Sequence, residues 1–131
     1  LKKIALMTAG LAVQKYLTQI EEQQEILFHI SDVVMVAWGA ESALLRTQKL
    51  AASQGEEKAR DYINMTRIYC NDALGNAESH AKEILAAVSE GDMLRTNLAA
   101  LRRFVKFTPL NTIELRQQIA DTMLNAGKYP Y

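Results

Sequence analysis

The feature that most constrains this chain is how seldom its helical periodicity is interrupted. Its 131 residues include 6 glycines and 2 prolines. The clear stops fall at Ser53-Gln54-Gly55, at Glu90-Gly91-Asp92, at the Thr108-Pro109 corner and at Gly127. Between them run helix formers (Ala, Leu, Glu, Gln, Lys, Arg), and no segment shows the Val/Ile/Thr alternation of an exposed strand. The expected fold is all-α, an up-and-down bundle of four to five antiparallel helices with short connections. With 49% hydrophobic residues the chain can bury a core as one domain over residues 1–131. It lacks an initiator Met and reads as a processed or excised piece of a longer polypeptide.

Five helical segments follow. The first, about Lys2 to Ile20, places Leu6, Val13, Leu17 and Ile20 at helical spacing, with the small residues Thr8, Ala9 and Gly10 allowing close approach. The polar run Glu21 to Glu25 is either a solvated turn of a longer helix or the corner before the next, and nothing in it breaks a helix. The second, about Glu22 to Ala52, carries Leu27, Ile30, Val34, Trp38, Leu44 and Leu45. Val33 to Ala40 is apolar on every side, which predicts a central helix with Trp38 as a core anchor. Gly55 suits a left-handed helix end. The third, about Glu56 to Ser89, has a stripe of Ala59, Ile63, Thr66, Cys70, Ala73, Ala77, Ala81, Ile84 and Val88. Gly91 ends it and Asp92 caps the next. The fourth, about Met93 to Phe107, packs through Leu94, Leu98, Leu101 and Val105. Pro109 disfavours the α conformation at Thr108, so this helix should end near Phe107. Asn111 can cap the fifth, with Glu114 reaching back toward the cap. The fifth, about Thr112 to Ala126, has Leu115, Ile119 and Met123, and Lys128 to Tyr131 form a non-helical tail.

The search for chemistry excludes more than it finds. Formal net charge is zero, with 15 basic and 15 acidic residues, so the chain as a whole makes no electrostatic case for nucleic acid. Charge is uneven: from Asp92 onward six basic residues face three acidic ones. Cys70 is the only cysteine, which rules out an intrachain disulfide and thiol clusters, and a small buried thiol is expected. The most apolar 20-residue stretch, Ile26 to Leu45, contains His29, Ser31, Asp32, Glu41 and Ser42, against a bilayer span. His29 and Asp32, three apart, can in principle share a metal, but neither His29 nor His80 has a His or Cys at ligand spacing. A hydrogen-bonded structural histidine is the reading for both. Glycines occur singly and form no phosphate loop. Glu21 and Glu25 read as solvated charge. The Asn64-Met65-Thr66 sequon lies inside a helix and is discounted. No catalytic, cofactor-binding or metal residue is therefore assigned. The candidate docking surface is Arg95, Arg102, Arg103 and Lys106 on the basic fourth helix, which can meet a partner or an anionic membrane as well as water.

The run Ala99-Ala100-Leu101-Arg102-Arg103-Phe104-Val105-Lys106-Phe107-Thr108-Pro109-Leu110-Asn111-Thr112 resembles the end of bacterial acyl-CoA dehydrogenases of the very-long-chain-like type. Ala40-Glu41-Ser42-Ala43-Leu44-Leu45-Arg46-Thr47 and Met7-Thr8-Ala9-Gly10 resemble the same family. The resemblance implies an extra helical domain that follows a flavin-binding dehydrogenase core. FAD, the catalytic carboxylate and the acyl-CoA pocket would belong to that core, and no residue here is assigned to them. The implied parent oxidises acyl-CoA in fatty-acid β-oxidation and is cytoplasmic. The implied partners are the core of the same polypeptide, further copies in a homo-oligomer, and a peripheral membrane contact. The alternative from residues alone is a free-standing helical adaptor that binds a partner through its basic fourth helix. A metal or cofactor bundle ranks behind both.

Overall fold

A computed structural model describes residues 1–131 and contains five α-helices and no strand: α1 (Lys2–Tyr16), α2 (Gln24–Gln54), α3 (Arg60–Val88), α4 (Gly91–Phe104) and α5 (Thr112–Ala126). The all-helical bundle is as the sequence implies. A 3₁₀ stretch, Leu17–Glu22, joins α1 to α2. The polar run is therefore a corner, and α1 stops earlier than its periodicity suggests. The chain leaves α1 at Leu17, a non-glycine residue with φ 46°, and no sequence signal marks so unusual a conformation.

The boundaries of α2, α3 and α4 depart from expectation by one to four residues, and those of α5 fall where expected. Gly55 takes the expected positive φ of 88°, but residues 56–59 form a turn and α3 begins at Arg60. Gly91 also has a positive φ, 54°. The capping position is Glu90, with extended backbone, while Asp92 sits in the first turn and pairs with Arg95. Helix α4 ends at Phe104 rather than Phe107. Asn111 caps α5 by accepting from Glu114 N–H at 3.2 Å, and Glu114 Oε2 accepts from the Asn111 amide at 3.1 Å instead of from the cap's backbone. Gly127 closes α5 in the left-handed conformation.

The chain divides into two compact units, residues 1–39 with 73–107, and residues 40–72 with 108–131. In the first unit Ile4, Val33, Ala77, Ala81, Leu85 and Leu101 form one buried cluster, and Ala12, Ile26 and Ile84 a second. Burying each large side chain contributes about 1.5–3 kcal/mol. The clusters pair Ile26 with Ile84 and Val33 with Ala77, so α2 and α3 run antiparallel there. Helix α1 is antiparallel to α2, bringing Ala12 to Ile26 and Ile4 to Val33. Lys15 Nζ donates to the Ala87 carbonyl at 2.7 Å. In the second unit the buried Thr47 and Thr66 hydroxyls bond at 2.6 Å, Asn64 donates to Gln118 at 3.1 Å, and Arg116 pairs with Asp72 at 2.7 Å. Its tail is tied by Tyr131, whose hydroxyl donates to Asp61 at 2.9 Å.

Two expected faces are corrected. On α1 the buried residues are Ile4, Thr8 and Ala12, whereas Leu6, Val13 and Leu17 are exposed. On α2 Val33, Ala37 and Ala40 point inward, and Val34, Leu44, Leu45 and Trp38 are exposed, Trp38 at 70%. Trp38 is no core anchor. Periodicity cannot choose a face where a helix is apolar all round. Helix α3 presents Ala73, Ala77 and Ala81, and small or β-branched partners let the backbones approach where Trp38 would hold them apart. The α3 stripe itself is inward as expected. Leu85→Ala should lower stability by about 2–5 kcal/mol, and Asn111→Ala by about 1 kcal/mol, both read as shifts of the denaturant midpoint.

Candidate docking surface

The fourth helix packs inward through Leu101, which is fully buried, with Leu94, Leu98 and Val105 against the same cluster. Its polar side therefore faces out. Arg95, Arg102, Arg103 and Lys106 are all exposed. Arg95 pairs with Asp92 at 3.2 Å, both side chains being more than four-fifths exposed; such a surface pair adds little to stability. Arg102 and Arg103 lie in the last turn, where they complement the helix dipole. Met93 and Phe104 reach solvent beside them, with Lys3 Nζ 6.0 Å from the Phe104 ring centre.

Helix α2 presents a surface that the sequence reading placed inside. Phe28, Val34, Met35 and Trp38 are 49–70% exposed. Their spacing puts them on one face with Leu27 and Ser31, opposite the inward Val33 and Ala37. A shallow groove along this face is lined by Gln24, Leu27, Phe28 and Ser31. By length and composition alone α2 would suffice to cross a bilayer. Contiguous uncovered apolar surface of this kind marks an interaction site. What hid it was the all-round apolarity of Val33 to Ala40.

The structure also joins residues that sequence spacing kept apart. His29 on α2 and His80 on α3 are hydrogen-bonded, Nδ1 to Nδ1, at 2.9 Å, and Asp32 Oδ2 lies 3.7 Å from His80 Nδ1. The fold supplies through antiparallel pairing the contact that no local motif could announce. Asn64 is buried and bonded to Gln118, unlike a glycan acceptor. Glu21 and Glu25 are solvated. Cys70 is half-buried rather than fully enclosed, and burial pushes its thiol up. Loss of water, and then the Asp61 carboxylate, push the Tyr131 phenol up.

These features define an all-helical bundle domain with an uncovered apolar face and a basic flank. The family model for the acyl-CoA dehydrogenase C-terminal domain matches residues 1–103, and the chain belongs to that family. It is 46% identical over 128 residues to a probable acyl-CoA dehydrogenase of Bacillus subtilis, a match that covers 98% of this chain and 22% of that protein. It is also similar to the crystal structure of an acyl-CoA dehydrogenase complexed with FAD from Bacillus anthracis, with a TM-score of 0.96 and 44% identity. That match covers 99% of this chain and 23% of the other. The chain thus spans less than a quarter of the length of these relatives.

The raised thiol makes a prediction. Alkylation of Cys70 should be slow at neutral pH and keep accelerating past the ordinary thiol range, because the reactive thiolate forms late. A labelling rate that saturates below that range would contradict it.

Proposed function

We propose that this chain is the C-terminal helical domain of a cytoplasmic, FAD-dependent acyl-CoA dehydrogenase of fatty-acid β-oxidation, and that its own role is non-catalytic packing on the dehydrogenase core. The carrying observation is that almost the whole chain matches a minor part of a probable acyl-CoA dehydrogenase, in sequence and in three dimensions. The residues present do not fit FAD. The chain's glycines occur singly, at helix ends or within helices, and offer no cradle for a pyrophosphate. No flavin step is assigned to these side chains.

The docking face in this reading is the α2 surface around Phe28, Met35 and Trp38. The core of the same polypeptide is the occupant, since the relatives devote more than three-quarters of their length to other residues. Homo-oligomer contacts would build on the assembled enzyme. Arg95, Arg102, Arg103 and Lys106 supply a separate, electrostatic contribution to docking. A second reading for that helix is peripheral contact with anionic lipid. It is favoured by Met93, Phe104 and Phe107, each exposed among the basic residues.

The full polypeptide carrying this chain should purify with bound flavin that bleaches anaerobically when acyl-CoA is added. A flavin-free protein, or a flavin indifferent to acyl-CoA, would overturn the enzyme reading. The lipid reading predicts that the same protein co-sediments with anionic vesicles at low salt and is released by salt. It also predicts that Arg102→Glu with Arg103→Glu weakens the binding at least tenfold. No co-sedimentation would end that reading.

A further inference from the structure

We propose that His29, Asp32 and His80 form a binding site for a divalent transition metal of zinc-like chemistry, clamping α2 to α3. The ligand set is two imidazoles and one carboxylate, and one ligand atom from each residue lies within 4.8 Å of the others. His29 and Asp32 are one helical turn apart on α2, so their side chains leave the same face. His80 enters from α3 because the antiparallel register places it opposite His29. The two rings are tilted by 50° with centres 5.1 Å apart, an edge-to-edge approach rather than a stack, and it brings the two Nδ1 atoms together.

The distances are close to those a metal needs. Zinc–nitrogen bonds of about 2.0–2.1 Å at tetrahedral angles separate two ligand nitrogens by about 3.4 Å. The Nδ1 atoms stand at 2.9 Å, and the Asp32 oxygen 3.7 Å from His80 Nδ1. Side-chain rotations that open the first separation by about half an ångström, close the second by about 0.3 Å and draw His29 and Asp32 together from within 4.8 Å would make room for an ion. An ordinary imidazole–imidazole hydrogen bond accounts for the 2.9 Å contact. The Asp32 carboxylate beside the same nitrogen pairs with His80 when that ring is protonated, and the three groups together make the ligand set.

Two nitrogens and one oxygen suit zinc, cobalt, nickel or copper over calcium and magnesium, which prefer all-oxygen sets. All three residues are half-buried, so water can complete the coordination shell. The site joins two helices, and a structural brace is the role that fits. This inference does not rest on the enzyme reading.

The test uses the full polypeptide after chelator treatment, titrated with zinc by calorimetry and with cobalt by visible absorption. We expect wild-type protein to bind one more zinc equivalent than His29→Ala or His80→Ala protein. Asp32→Asn should weaken that site at least tenfold, and zinc should raise the melting temperature of wild type alone. Should an alanine variant fail to fold, His80→Gln, which keeps a polar group at the helix contact, must also lose the equivalent. Zinc stoichiometry and affinity unchanged in folded His29→Ala and His80→Gln proteins would overturn the proposal. Flavin content should be the same in all variants, which separates this outcome from the fate of the enzyme reading.

Discussion

The interaction on which the rest depends is the close antiparallel approach of α2 and α3. It is made possible by alanine. In the first unit Ala77 and Ala81 meet Val33 in a fully buried layer, with Leu85 and Leu101 closing it. Small side chains on α3 remove the bulk that would separate the backbones, so dispersion contacts form along the helices rather than at isolated points. Within the first unit the same register aligns Ile26 with Ile84 and His29 with His80; the second unit has its own contact, Thr47 with Thr66. Each polar pair is satisfied across the seam, as a buried hydroxyl or ring nitrogen must be.

That seam consumes the small side of α2 and leaves its large side outward. Trp38, Met35 and Phe28 would each gain by leaving water, yet nothing within this chain covers them. Leu6, Val13 and Leu17 of α1 are likewise outside the core. The chain places alanine and valine in its internal contact and leaves Phe28 and Trp38 at the surface. Under the function we propose, the dehydrogenase core of the same polypeptide is the occupant of that surface. The basic residues of α4 do different work: with Leu101 buried, they are the solvated side of an inward-packed helix.

Much of this architecture was legible in the sequence, for identifiable reasons. Gly55, Gly91 and Gly127 mark turns because each takes a positive φ, and the α3 stripe is correct because alanine and isoleucine alternate there with charged residues. The Asn111 cap is legible because its partner Glu114 lies three residues away. The orientation of α2 was not legible: an all-round apolar segment has no preferred side until its neighbour's shape is known. Nor was the end of α1, which turns on a leucine with a positive φ. The His29–Asp32–His80 cluster was half visible as an i, i+3 pair, and its third member depends on helix register, a tertiary quantity. The placement of Arg95, Arg102 and Arg103 of α4, and of Lys106 just beyond it, away from the Leu94, Leu98, Leu101 and Val105 face was legible from periodicity.

The most direct measurement is hydroxyl-radical footprinting of the full polypeptide that carries this chain, read at single residues of α2. The account predicts strong protection of Phe28, Met35 and Trp38 relative to their exposure in the domain by itself, with protection lost when the polypeptide is unfolded. Oxidation of all three at the rate of freely solvated side chains would contradict it, because the face would then have no occupant.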